Sequence, residues 1–396
     1  MKKRCIIVLL ACALFCLNCL AERAAPSVIQ DDSPASVTIR VAGDFVIHSG
    51  VFNSAIKDGG GTPDFSEMLS PIAFYLSQAD FTITNVDGVM GSDAFLKKHP
   101  YSGYPAFSTP RQLIGNLKSC GVDLMTLANN HALDYYFDGL KSTISSMTEA
   151  GMPYIGGYST LEDKRSARVF DVGGIRIGFL NYTDGLNQMD KIPSLDPDAL
   201  KYGVDFWPYA DIDADISRLK QEGAELIVCL MHWGIEYQLQ PGQSQLNKAQ
   251  KLADAGVDVI IGGHPHVVQK AEYVTSKTTG KKVLCLYSLG NFLSDQRNDG
   301  KDSGLIFDFT VSRDEDGNIT VSDPCYVVTH VWRKANSSGG YTYRIVFSDT
   351  DEPYPGMSTN EYRYMLDEAQ KIEKRMNSGC AKKRSAEDAQ AVILSR

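Results

Sequence analysis

The sequence predicts an α/β protein, and three observations carry that prediction. Over residues 211–261 helical and extended segments alternate: Asp211–Glu222 and Gln243–Ala255 read as helices, Glu225–Met231 and Val257–Ile261 as strands. Such alternation marks βαβ units. The extended segments are apolar runs of the kind that form buried strands, and they stop abruptly at polar residues. The stretch V-D-V-I-I-G-G-H-P-H-V-V-Q, Val257 to Gln269, is the strongest case, ending in two histidines separated by Pro265. In α/β folds the carboxyl ends of strands open into loops that hold ligands. Gly262 and Gly263 are expected to turn the backbone sharply and Pro265 to stiffen it, so that both imidazoles face one point.

The remaining elements follow in order. Val37–Val46 reads as a strand leading to Gly43-Asp44, followed by a loop with Gly59-Gly60-Gly61 and a helix over Phe65–Gln78. Asp80–Val86 is a second buried strand. Met90 to Pro110 is irregular and rich in Tyr, Pro and Ser, long for a plain connection and suited to lining a pocket. Arg111–Cys120 is helical with Gly121 as its stop, Val122–Leu127 a strand, Phe137–Ala150 a helix, and Ile155 a short strand. Arg168–Tyr182 reads as a hairpin turning at Gly173-Gly174, and 183–209 as irregular. After residue 270 the pattern changes to hairpins: Ala271–Val274 with Lys282–Ser288, then Gly304–Arg313 with Ile319–Ser322, then Tyr326–Trp332 and Tyr341–Ser348. Asn360–Asn377 is an amphipathic helix, and residues 378–396 read as a frayed tail. The organisation expected is a leader over 1–21, a flexible tether over 22–36, a main domain over 37–350, and the helix and tail over 351–396.

Composition narrows the function. With 396 residues and 43% hydrophobic content the chain can bury a sizeable core. A formal net charge of −9 argues against nucleic acid as a partner, since phosphate backbones need a basic surface. Met1-Lys-Lys-Arg4 followed by the apolar Cys5–Leu20 reads as an export signal, too short for a comfortable membrane span. Cleavage after Ala21, acylation at Cys19 and an uncleaved anchor are the three processing outcomes, and each puts the folded part outside the cytoplasmic membrane. Of nine cysteines four lie in this leader; the others, Cys120, Cys229, Cys285, Cys325 and Cys380, show no C-x-x-C pair and read as small buried side chains.

Collected in order, the polar residues at strand ends are Asp44, Asn85 with Asp87, Asn130 with His131, His232, and His264 with His266. Carboxylate, amide and imidazole without thiolate suit divalent zinc, manganese or iron in a hydrolytic site.

The order Asp, Asp, Asn-His, His, His-x-His resembles the calcineurin-like metallophosphoesterase superfamily. A-G-D-F at Ala42, T-N-V-D at Thr84, L-A-N-N-H-A-L-D-Y at Leu127, H-W-G-I-E-Y at His232, G-H-P-H-V at Gly263 and Y-S-L-G-N-F at Tyr287 resemble the narrower CapA capsule synthesis family, associated with poly-γ-glutamate. The resemblance implies a four-layer α/β/β/α sandwich of two mixed sheets with outer helices. It implies one or two divalent ions held by Asp44, Asp87, Asn130, His232, His264 and His266, with water activated by the metal. It further implies His131 as the acid protonating the leaving oxygen, Asp134 orienting that imidazole, and Asn85, Glu236 and Asn291 as neighbouring or substrate contacts. Two departures stand out. The superfamily's Asp-x-His is Asp44-Phe45-Val46 here, with His48 in the wrong strand phase to substitute, and the family's usual Asn-x-Glu is Asn85-Val86-Asp87. Both weigh towards one metal rather than two.

The function expected is an exported hydrolase acting on a phosphoester or an envelope polymer linked to capsule. Two readings stay open beside it: a non-catalytic component of a membrane polymer synthesis or export complex, and a metal-dependent amide hydrolase of poly-γ-glutamate.

Overall fold

The computed structural model describes residues 35–336, 339–377, 379–385 and 388. The expected leader, Cys19 within it, and all but the last two residues of the expected tether lie outside these. In chain order the first strands are β1 (Ala35–Val46), β2 (Phe81–Val86), β3 (Leu124–Thr126), β4 (Tyr154–Ile155), β5 (Val169–Val172), β6 (Ile175–Thr183), β7 (Leu226–His232) and β8 (Val259–Gly263). They are followed by β9 (Ala271–Thr275), β10 (Lys282–Leu286), β11 (Asn291–Ser294), β12 (Ser303–Arg313), β13 (Ile319–Ala335), β14 (Tyr341–Phe347) and β15 (Lys382–Lys383). The principal helices are α1 (Ser49–Asp58), α2 (Ser66–Leu76), α3 (Gln112–Ser119), α4 (Tyr136–Ala150), α5 (Ile212–Gln221), α6 (Gln243–Ala255) and α7 (Thr359–Met376).

The strands form two sheets, both mixed. One runs β14-β13-β12-β1-β2-β3-β4, with β11 added beside β1 and β15 beside β13; the other runs β5-β6-β7-β8-β10-β9. Three apolar clusters show how they stack. Val37, Ile39, Val41, Ile83 and Phe307 of the first sheet meet Ile177, Val228, Leu230, Val259 and Ile261 of the second. On the far side of the first sheet, Phe45, Val86 and Met125 pack under Val51, Leu69, Ile72, Leu117 and Ile144 from α1 to α4. On the far side of the second, Cys229, Met231 and Ile260 pack under Ile216, Leu219, Ala249 and Leu252 from α5 and α6. Side chains along β7 thus alternate between two buried faces, which is why the sequence there is apolar throughout. The result is the expected α/β/β/α order of layers. All five described cysteines are buried and unbridged, and no helix of the described residues is long and apolar enough to cross a membrane.

Four local readings need correction. Ser49–Asp58, expected as loop, is the helix α1, because Val51, Phe52, Ser54 and Ala55 bury one face of a segment with weak intrinsic signals. Ala35 and Ser36 belong to β1 rather than to the tether, pairing with Arg313 and Ser312. The two strands expected on either side of Asp323-Pro324 are one strand, β13, carried past the proline by a bulge opposite Asp308–Thr310. The tail expected to fray instead adds β15, whose Lys382 and Lys383 pair with Cys325 and Tyr326. Just beyond it, Arg384 Nη1 lies 3.0 Å from Asp308 Oδ2, which also receives Arg40 Nη2 at 2.6 Å and Tyr75 Oη at 3.0 Å. A buried ion pair in the first sheet is thereby closed by a residue from the end of the chain.

One prediction arises from the core itself. His330 on β13 is buried beside Ser303, and burial together with the Arg297 charge lowers its pKa from 6.5 to about 3. A depressed imidazole contributes stability present above the unfolded value and lost as pH falls through the window from 6.5 towards 3. From pH 7.5 to 5.0 the loss is about 2 kcal/mol, from 1.5 units at about 1.36 kcal/mol each. Chemical denaturation of His330→Leu at the two pH values is expected to show a loss smaller than wild type by that amount; equal losses would refute it.

Candidate metal centre

The carboxyl ends of β1, β2, β3, β7 and β8 bring the sequence-predicted residues together. β1 carries Asp44 at an irregularity, where its register shifts against both β2 and β11. Such bulges re-aim side chains. Asp44 Oδ2 accepts the His264 amide at 2.8 Å, and its Oδ1 accepts Asn85 Nδ2 at 2.9 Å. The same Asn85 amide donates to Asp87 Oδ1 at 2.8 Å, so it holds both carboxylates. His232 Nε2 lies 2.9 Å from Asn130 Oδ1, 3.1 Å from His264 Nδ1 and 3.7 Å from Asp87 Oδ1. One ligand atom each from Asp44, Asp87 and His232 lie within 4.8 Å of one another, and all three residues are buried.

His264 and His266 flank this cluster on the loop after β8, where the sequence reading of the glycines is overturned. Gly262 and Gly263 lie within β8, and the left-handed turning falls on the histidines themselves, with φ of 93° and 58°. Each such non-glycine conformation costs on the order of 1–3 kcal/mol and persists only where surroundings enforce it. The glycines serve close approach instead. A Cβ at Gly263 would stand 2.7 Å from Asp44 Oδ1, and one at Gly262 would stand 2.1 Å from the Tyr287 carbonyl oxygen. Asn291 fixes the His266 tautomer. Its Nδ2 donates to the Lys301 carbonyl at 2.7 Å, so its Oδ1 accepts from His266 Nδ1 at 3.0 Å and leaves Nε2 to act as a ligand.

His131 stands apart from the cluster. Its Nδ1 donates to Asp134 Oδ2 at 2.7 Å, and that oxygen also accepts the Phe107 amide at 2.7 Å. Burial works to lower the His131 pKa, but the Asp134 hydrogen bond and the Asp134, Asp87 and Glu236 charges outweigh it and raise the value. The cluster histidines move the other way: burial first, then the neighbouring rings, lower His232 and His266. Glu236 lies exposed on the loop after His232, where its charge acts on His131 and His264. Val46 is buried and paired with Ser294, and His48 faces the Val46 carbonyl at 3.0 Å, so neither joins the cluster.

The residues present fit a divalent cation. Three lone-pair donors crowd His232 Nε2, which has a single proton or a single lone pair to offer them. Asp87 Oδ2 is buried without a hydrogen-bond partner among the described residues. Burial pushes both carboxyls up, and the Asp44 charge pushes Asp87 further. A cation gives these lone pairs a common partner and removes the like-charge penalty.

Sequence reasoning missed three amides. Asn129 Nδ2 donates to the Val86 carbonyl and to Asn85 Oδ1, while its Oδ1 accepts the His131 amide, tying the β2 and β3 loops together. Its place in N-N-H was a usable signal. Asn181 Oδ1 accepts the Ala128 amide at 2.8 Å, joining the sheets. Asn187, in the irregular segment after β6, puts its amide nitrogen 3.0 Å from His131 Nδ1 and takes the Asn130 carbonyl on its backbone N–H. Nothing in its local sequence marks it.

Two facing mixed sheets with helices outside them make a calcineurin-like fold, and a buried cluster of carboxylate, amide and imidazole groups stands at its strand ends. Residues 38–296 match the model of the family described as bacterial capsule synthesis protein PGA_cap, and the chain belongs to that family. It is 27% identical over 305 residues to a capsule biosynthesis protein CapA of Bacillus anthracis, covering 76% of this chain and 70% of that one. It is 31% identical over 195 residues to a PGA biosynthesis protein CapA of Bacillus subtilis, covering 48% and 47%. Among solved structures it is similar to the NAD nucleotidase of Haemophilus influenzae, with a TM-score of 0.46 and 13% identity over 91% of this chain and 59% of that one. It is also similar to the calcineurin-like phosphoesterase YfkN of Bacillus subtilis, with a TM-score of 0.43 and 17% identity over 86% and 97%.

Proposed function

We propose that this chain is an exported, metal-dependent phosphoesterase acting in capsule synthesis at the cell envelope, on an envelope polymer or its phosphoester precursor and beside the membrane proteins that make or export that polymer. One observation carries the reading: beside a buried set of ligand atoms stands a separate His131–Asp134 pair, close enough for the Asp87 charge to act on the His131 ring. Asp44, Asp87, Asn130 and His232 would hold the cation, with His264 and His266 completing its surroundings. When bound, a divalent ion polarises a phosphoryl oxygen and lowers the pKa of water towards roughly 7. The chain's own groups do the rest. Asn85, donating to both, holds the two buried carboxylates in fixed orientation. Asp134 accepts the hydrogen bond from the His131 Nδ1–H, so Nε2 is the nitrogen left to hand a proton to a leaving oxygen. Export is supported by the basic and apolar amino-terminal pattern, and capsule synthesis by family membership.

Elemental analysis of the purified chain tests the centre. One tightly held transition-metal ion per chain is expected, and restoring zinc or manganese to chelator-treated protein at 100 times the Kd is expected to add about 2.7 kcal/mol of stability. A chain that purifies metal-free and gains no stability from either ion would defeat the reading.

A further inference from the structure

Beside the centre, the loop following His232 and the amino end of α6 enclose a cavity of about 200 Å³, lined by Asp184, Gly234, Ile235, Gln238, Gln243 and Ser244 among others. It has room for roughly seven waters at about 30 Å³ each, enough for one ring-sized group and too little for a length of polymer. Its wall is continuous with the ligand loops. The Asp184 amide donates to the His232 carbonyl at 3.0 Å, the Gly234 amide to Asp184 Oδ2 at 3.3 Å, and the Tyr237 amide to the Pro265 carbonyl at 2.8 Å.

Charge and chemistry select the occupant. Lys248 is committed, its Nζ donating to Asp184 Oδ2 at 2.9 Å and to Ser244 Oγ at 2.5 Å. No lysine or arginine is among the lining residues, and Glu236 is exposed on the same loop. A ligand bearing free carboxylates would find no unpaired cation among the lining residues, because Lys248 at the rim is already neutralised by Asp184, and would stand near the exposed Glu236 charge. A hydroxylated ring meets complementary groups: the Gln238 amide, the Gln243 amide oxygen (its nitrogen donates to Asn247), the Ser244 hydroxyl proton, the Asp184 Oδ1, and an apolar face on Ile235. We propose that this cavity is a subsite for one neutral hydroxylated ring, a pyranose unit of the substrate whose phosphoester lies at the metal centre. The proposal rests on the phosphoesterase reading for its place in the reaction, but its binding chemistry is testable without turnover.

The full-length protein is titrated with methyl glucoside, methyl N-acetylglucosaminide and γ-glutamylglutamate, with saturation-transfer NMR as the readout. At least one glycoside is expected to bind saturably and more tightly than the dipeptide. Ser244→Tyr, which fills the cavity from an exposed helix position, is expected to weaken that binding at least tenfold, and Gln238→Ala several-fold, with melting curves matching wild type. Failure of both glycosides to bind, tighter binding of γ-glutamylglutamate, or glycoside binding unmoved by both variants would overturn the subsite. Phosphoesterase activity measured on the same samples keeps the two readings apart. An inactive chain that binds glycoside through Ser244 upholds the subsite against the hydrolase reading, whereas an active chain that binds neither glycoside defeats the subsite alone.

Discussion

On the proposed function, His131→Ala is expected to lower turnover of an alkyl phosphoester about 10²- to 10⁴-fold, the usual worth of general acid catalysis, with metal content and fold retained. The expectation follows from what His131 touches: Asp134 through Nδ1, the Phe107 ring at 4.6 Å, and the Asn187 amide. The raised pKa keeps a proton on the ring towards neutral pH. The deficit shrinks for aryl phosphates, whose leaving groups need little protonation. His264→Ala provides the contrast, since a ligand's loss lowers metal content and stability together. If His131→Ala loses metal as His264→Ala does, the acid assignment is wrong. If neither change affects hydrolysis but both abolish capsule in cells, a non-catalytic role takes its place.

Gly263→Ala is the second large effect, expected to weaken metal binding about 100-fold, at the upper end for disturbing a group that orients ligands. The added methyl would stand 2.7 and 3.0 Å from the two Asp44 oxygens, and Asp44 is pinned from two sides by the His264 amide and Asn85. The carboxylate cannot swing away without breaking one of those bonds. Competition with a chromogenic chelator measures the affinity, and far-UV circular dichroism checks the fold. Wild-type affinity in a folded Gly263→Ala protein would show that Asp44 is not a ligand.

The α/β class and the buried strands were readable because burial on both faces leaves a mark that survives in one dimension: continuous apolar runs such as Leu226–Met231, each stopping at a polar residue; the order of the layers came only from the family resemblance. The residues that gather at the candidate centre were legible for the same reason, since Asp44, Asp87, Asn130, His232, His264 and His266 all stand at such stops. Residues whose role depends on contact across sheets or loops left no such mark. Asn187 reaches His131 from a segment with no periodicity, and Asn181 lies inside a strand where an amide reads as an interruption. The role of Gly262 and Gly263 was misread because glycine signals a backbone freed from steric limits, without saying whether the freedom is spent on a turn or on proximity. α1 escaped notice because its stability comes from packing rather than from propensity.

The placement of β1 bears on when this chain can fold. The first described strand lies in the interior of its sheet, bonded on one side to β2 and on the other to β12, whose residues 303–313 are synthesised some two-thirds of the chain later. The Arg40–Asp308 pair awaits Arg384 as well. Pairings this distant in sequence form slowly, and a nascent chain cannot complete the sheet until nearly all of it has emerged. Were the polypeptide exported as proposed, that ordering would keep it threadable through a translocation pore during synthesis, and folding and any metal binding would follow on the far side of the membrane.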